Sequence, residues 1–253
     1  MKFTKLRKLN LYMALAHGVQ ALILLVISSD FSRTITTNYL VYDDATQGLI
    51  SASRGLFDFP FVWGVAGFSL LSMFFHLMIA TLWNKRYVAG LKKGMNKYRW
   101  IEYSLSASLM IVLIAILSGV FDLSTLILMF GVTAIMNLTG LIMEIHNQST
   151  KKVNWISYWV GILAGLLPWV VIYIYFWASA TSPEVSSGPP NFVYFIWISI
   201  FLFFNSFALN MLLQYKKWGK WSDYLYGERV YMWLSLGAKS ALIWQIFGGT
   251  LQP

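Results

Sequence analysis

The sequence predicts an all-α membrane protein, one seven-transmembrane helix bundle with a short β-hairpin outside the membrane. Three observations predict it. Of 253 residues, 58% are apolar and only 11% charged, whereas a soluble domain carries about 25% charge. Seven apolar stretches reach the roughly 20 residues that a helix needs to cross a bilayer. The basic residues gather in alternate connections between those stretches, the pattern that orients a chain in a membrane.

The spans run over residues 9–29, 59–83, 98–120, 123–145, 154–179, 191–215 and 225–250. Lys2, Lys5, Arg7 and Lys8 precede the first, as in a signal peptide. Its apolar run is too long for one and lacks a small-x-small cleavage site, so it reads as the first helix. Between the first two spans, residues 30–57 contain "RTITTNYLVYDD", rich in Thr, Tyr and Val with rough alternation. That reads as a strand or hairpin. A lone hairpin is marginal, so it should pack on the bundle or on a second copy. The fifth span carries Pro168, which should kink it or leave backbone groups for a neighbour to satisfy. No repeat, low-complexity tract or second domain interrupts residues 1–253, which read as one domain.

The N-terminus and the connections after the second, fourth and sixth spans hold sixteen of the nineteen Lys and Arg residues. The other connections hold Arg33 and Arg54 with six acids: Asp30, Asp43, Asp44, Asp58, Asp122 and Glu184. The positive-inside rule then places the N-terminus in the cytoplasm and the C-terminus outside. The net charge of +9 is thus topological information. The partner it predicts is the lipid bilayer of the cell membrane, crossed many times, and not nucleic acid. With no cysteine, disulfides, thiolate chemistry and cysteine–zinc sites are excluded.

Two charges remain clearly inside the membrane, Glu102 in the third span and Lys239 in the seventh. A charge there costs roughly 2.5–3.5 kcal/mol even on the lenient insertion scale, so the two should pair. Taken alone, such a pair serves structure as readily as function. Helical spacing adds polar stripes: Glu228, Ser235 and Lys239; Arg99, Glu102 and Ser106; Ser69, Ser72 and His76; His17 and Gln20. A lone serine usually bonds its own helix, and a buried histidine is usually just a hydrogen-bonding residue; co-location carries the weight. His17, His76 and Lys239 lie nine or ten residues from basic residues at the cytoplasmic edge, about 13–15 Å at 1.5 Å per residue. Glu102 matches that depth if the edge of the third span is at Lys92 and Lys93. Arg99 is then partly buried, one turn cytoplasmic of it.

An uncharged lysine amine condenses with an aldehyde. The protonated product is a cation, and Glu102 could supply its counterion. Tyr103, Trp159, Trp169, Phe203, Phe204 and Trp244 are candidates to enclose a conjugated chromophore, with Trp244 closing the wall on the seventh helix. Seven helices with a lysine on the seventh is the rhodopsin arrangement. The segments "RWIEYSLSASLMIVLIA" (99–115), "GLLPWV" (165–170), "FLFFNSFALNMLLQYK" (201–216), "KWSDYLYGER" (220–229) and "LSLGAKSALIWQIFGGTL" (234–251) resemble the heliorhodopsin family. The resemblance runs through all seven helices.

The resemblance implies all-trans retinal bound as a protonated Schiff base on Lys239, with Glu102 as counterion. Ser235, with Ser72 and Ser106, would form the nearby hydrogen-bond network. His17, His76, Arg99, Tyr103 and Glu228 would line a cytoplasmic polar cavity that accepts the proton. Trp159, Trp169, Phe203, Phe204 and Trp244 would form the retinal pocket. It further implies a light-sensing photoreceptor and not an enzyme, with a slow photocycle, signalling to a cytoplasmic partner rather than ion pumping. It implies a homodimer to which the outer strands contribute. The alternative within this chemistry is a light-driven or light-gated proton or ion transporter. It is disfavoured because no carboxylate lies between Lys239 and the outside. A zinc hydrolase using His17, His76 and His146 is disfavoured because His146 sits about two turns nearer the cytoplasm and no HxxxH or HExxH pair exists. A plain scaffold with a structural Glu–Lys bridge is the remaining reading.

Overall fold

Every apolar stretch folds as a helix, because only internally bonded backbone survives in lipid. The structure, a computed structural model, describes residues 2–182 and 191–252; Glu184, counted above among the outer acids, lies outside them. The order is α1 (Lys2–Ile27), β1 (Ser32–Asp43), β2 (Gly48–Pro60), α2 (Phe61–Ala80), α3 (Asn84–Lys92), α4 (Lys97–Leu117), α5 (Leu123–His146), α6 (Ile156–Ala180), α7 (Asn191–Tyr215) and α8 (Tyr224–Ile246). Among the described residues, six helices are long and apolar enough to cross a membrane. The seventh, α8, is less apolar because it carries Glu228, Arg229 and Lys239. It packs against α7, α1 and α2, inside the same bundle. Below, the inner end is the end where α1 begins, and the hairpin lies at the outer end.

Local chemistry sets the boundaries. Side chains of Asn96, Asp122 and Asp223 cap α4, α5 and α8 by accepting from the backbone amides of Arg99, Thr125 and Leu225, each satisfying an otherwise orphaned donor. Pro168 lies inside α6, which continues through it from Ile156 to Ala180.

The short helix α3 is a departure from the expected basic loop. Tyr87 and Leu91, four apart, are buried and pack with Leu6, Met13, Ile79, Tyr98 and Met232 at the inner end. Its presence also corrects the placement of the third span's edge. Helix α3 stops at Lys92, Gly94 takes a positive φ of 70°, and α4 starts afresh at Lys97. Depth therefore cannot be counted in helical steps from Lys92. Arg99, only 5% exposed, is nonetheless more deeply buried than expected.

The hairpin is long and antiparallel, pairing Ser32 with Pro60 and Asp43 with Gly48, with an irregularity between Ile35 and Thr36. Its base is pinned to the bundle. Ile35 enters the outer core, the Thr36 amide donates to the Phe121 carbonyl at 2.9 Å, and the Asn38 amide donates to Asp122 Oδ1 at 3.2 Å. Beyond Ile35 its apolar residues, such as Leu40 and Leu49, are exposed.

The bundle is chemically two-sided. The outer half is a continuous apolar core including Phe61, Val65, Phe68, Ile111, Leu113, Leu242, Ile243 and Ile246. The inner half holds the buried ionisable residues. Its tightest approach is at Gly140 on α5, where an added Cβ would lie 2.4 Å from the Trp100 ring; only glycine lets that ring settle there.

Candidate functional site

Lys239 and Glu102 meet between α8 and α4. The Lys239 Nζ donates to Glu102 Oε1 at 2.8 Å and to Ser235 Oγ at 2.9 Å. Ser235 lies one turn earlier on α8, so helical geometry alone brings the two together. Ser72 on α2 donates to the same Glu102 oxygen at 2.6 Å. All four residues are buried. The Tyr103 ring lies 5.2 Å from Nζ, within cation–π range.

On the other side the amine faces a cavity. It is lined by Lys239, Ser235, Ser106, Tyr103, Met110, Asn137, Ile200, Phe203, Phe204 and Phe207, among others. Ser106 Oγ is buried there without a hydrogen-bond partner among the described residues. A second space shares Tyr103, Met136, Asn137, Phe204 and Phe207 with it and extends between α5, α6 and α7. Such mostly apolar clefts with few polar groups suit small-molecule ligands.

Of the aromatic residues expected at this cavity, Phe203, Phe204 and Tyr103 line it. Trp169 is buried one layer behind, its ring edge-on to Phe204 at 5.7 Å and to Phe201 at 5.2 Å. Trp159 and Trp244 do not belong there. They are 63% and 40% exposed, Trp244 packing edge-on against Phe247. Both indoles turn to the outside of the bundle, where a membrane protein uses tryptophan equally well. Phe207, Asn137 and Met136 line the cavity and were missed; Phe207 follows Phe203 by four residues, on the same face.

Toward the inner end, His17 and His76 stack with ring centroids 5.8 Å apart and planes within 9°. His76 Nδ1 shares a 2.8 Å hydrogen bond with Asn10 Oδ1. Both ring nitrogens of His17 are buried without a partner among the described residues. Gln20 turns back to the Ala16 carbonyl of its own helix. A small space joins His76, Glu102 and Tyr103 to Arg99, Asn96 and Glu228.

There a second ionic cluster lies, larger than the sequence indicated. Arg99 donates to Glu228 through Nη1 and to Glu144 through Nη2 at 2.5 Å. Glu144 also accepts from the Asn96 amide at 2.9 Å, Trp100 Nε1 at 2.8 Å and Tyr224 hydroxyl at 3.0 Å. Glu228 accepts from Asn96 Nδ2 at 2.6 Å and Tyr87 hydroxyl at 3.2 Å. The guanidinium lies 4.0 Å from the Tyr231 ring centre, and the Tyr103 hydroxyl donates to the Tyr231 carbonyl at 3.0 Å. Polar contacts thus run from the inner surface to the residue beside Lys239. Glu144 was the member missed. Its spacing of seven from Asn137 and four from Gly140 marks one inward helix face, a usable signal.

His146, exposed and bonded to Asn154 at 3.3 Å, does not join His17 and His76. Among the described residues no group of three or more His, Asp and Glu side chains could hold a metal ion.

No curated protein matches the chain. A family model described as Heliorhodopsin matches residues 6–251.

Proposed function

The chain belongs to the heliorhodopsin family, so it is a retinal-binding, light-sensing rhodopsin of the membrane, and we propose that it carries all-trans retinal as a protonated Schiff base on Lys239 and signals rather than pumps. One observation carries this reading: a buried lysine amine, bonded to a buried carboxylate at 2.8 Å, opens onto an aromatic cavity. A buried ion pair adds little net stability over apolar packing, so stability alone does not account for the arrangement. The residues present fit the group. The apolar walls from Phe203, Phe204 and Phe207 suit a polyene, the amine stands at one end, and Ser106 offers an unpaired hydroxyl inside.

Bound retinal supplies absorption of visible light and a light-driven change of shape. The chain's residues do the rest. Glu102 balances the cationic nitrogen. Ser72 fixes the carboxylate by donating to the oxygen that faces Lys239. Ser235 holds the nitrogen from the inner side. A proton leaving Lys239 Nζ has buried ionisable groups on the inward side: Glu102, then His76 with Asn10, then the Arg99 cluster. Outward, Leu242, Ile243 and Ile246 of α8 pack with Ile111 and Ile114 of α4. Every buried ionisable residue named among the described residues lies at Lys239 or inward of it. A one-sided polar route supports a proton held and returned, hence a slow cycle that biases helix packing. A pump needs access to both sides.

The N-terminus is cytoplasmic in this reading, from the distribution of basic residues, and the inner face meets a cytoplasmic signalling partner. Two chains form a homodimer, with the exposed Tyr39, Leu40, Tyr42 and Leu49 of the hairpin as part of its cover. Flash photolysis of the pigment combined with light-induced pH measurement in suspended cells tests the proposal. A long-lived photoproduct without pH change is expected. A sustained, uncoupler-sensitive pH change establishes transport instead.

A further inference from the structure

At the inner end a cleft opens between three connections, α3–α4, α5–α6 and α7–α8. Each contributes one lysine to its lining: Lys93, Lys151 and Lys217. All three are exposed, and among the described residues none pairs with a carboxylate; the ion pairs join Arg99 to Glu144 and Glu228, and Lys239 to Glu102. Three like charges facing one cleft repel each other, and a bound anion would relieve that.

The carboxylate at the cleft floor does not fill that role. Glu144 is 2% exposed and already accepts from Asn96, Arg99, Trp100 and Tyr224. Two neutral side chains of the wall are also engaged. Asn147 bonds both to Met143 and, across its loop, to Asn154, while Gln214 donates to the Tyr224 carbonyl. They fix the loops, and the lysines are the cationic donors of the lining.

A backbone observation points the same way. Lys217 ends α7 at φ +54°, where the Trp218 amide reaches the Leu213 carbonyl at 3.1 Å. That is the helix-ending turn whose left-handed position favours glycine. A lysine there is strained, and such strain gathers at functional positions.

We propose that this cleft binds an oxyanion, a phosphate group carried either by a soluble metabolite or by a lipid headgroup. Phosphate is favoured over carboxylate because a monoester carries up to about two charges near neutral pH, a closer match to three unpaired ammonium groups. Lysine serves as a point charge that suits phosphate from several directions.

The test uses the whole pigment in neutral phosphatidylcholine nanodiscs, titrated by calorimetry with inorganic pyrophosphate and separately with short-chain phosphatidic acid. The cleft variant combines Lys151→Ala with Lys217→Gly; glycine suits the backbone there, so charge is removed without unseating the helix end. The control combines Lys8→Ala and Lys85→Ala, two exposed lysines outside the cleft lining. Saturable binding that falls at least about tenfold in the cleft variant and is nearly unchanged in the control supports the site. Binding of pyrophosphate marks a soluble ligand; binding of phosphatidic acid alone marks a headgroup. No saturable binding of either probe, or an equal loss in the control, overturns the proposal.

Discussion

Replacing Arg99 by methionine removes the one cation shared by Glu144 and Glu228 while keeping similar bulk. Breaking a buried ion pair by deleting one partner costs about 3–5 kcal/mol, because a charge is left uncompensated. Here the two carboxylates are not left equal. Glu144 keeps three donors, from Asn96, Trp100 and Tyr224. Glu228 keeps two, from Asn96 and Tyr87, one of them at 3.2 Å. Glu228 therefore carries the larger share of the penalty. Adding Glu228→Gln to Arg99→Met should recover more than half of the loss, about 2–3 kcal/mol, and adding Glu144→Gln should recover less. Loss of visible absorption during denaturant unfolding measures this, since colour reports an intact bundle. A single-variant cost below about 1 kcal/mol, the level of a surface pair, refutes the reasoning. So does equal rescue by the two glutamines.

Glu102→Gln removes the charge 2.8 Å from Nζ but leaves an acceptor for Ser72. A counterion stabilises the ground state in which positive charge sits on the nitrogen, so the absorption maximum should move to longer wavelength; an unmoved band counts against the assignment. Asp122 predicts an acid response at the outer end. Hydrogen bonds from the Ser124 hydroxyl first, then from the Thr125 and Asn38 amides, hold its carboxyl down at about 2. Its unfolded value is about 4, so the sign is that of a depressed acid: the contribution is complete above pH 4 and disappears as pH falls toward 2. Protection of the Asn38 and Thr125 amides against exchange, relative to the intrinsic rate at each pH, should fall over that window in wild type. In Asp122→Ala it should be lower already at neutral pH, with a loss of about 1 kcal/mol for the cap. A protection factor that stays constant in wild type between pH 5 and 2.5 contradicts this.

What was legible in the sequence was what lipid makes costly. Charges inside apolar runs are few, so Lys239 and Glu102 stood out and their pairing followed from the price of leaving either alone. Residues that lipid tolerates were harder to place. Trp159 precedes Trp169 by ten residues, and Trp244 follows Lys239 by five. At 3.6 residues per turn these offsets are about 80° and 140° around the helix, so both rings turn away from the cavity. The same arithmetic places Phe207, four residues after Phe203, on the cavity face. Glu144 was hidden for another reason. It lies two residues from His146 in the last turn of α5, where sequence alone reads an acid as solvated. It is buried because Asn96, Arg99, Trp100 and Tyr224 from α4, the turn before it and α8 close over it, a tertiary effect that no helical period carries. Helix α3 itself buries only two residues, Tyr87 and Leu91, within a strongly basic segment.

The central claim, that Lys239 anchors the chromophore, is tested most directly by adding all-trans retinal to the purified protein, reducing the adduct with borohydride and mapping it by peptide mass. A visible absorption band and one retinyl group on the peptide containing Lys239 are expected, and neither in Lys239→Ala. A pigment that survives Lys239→Ala, or an adduct on any other lysine, contradicts it.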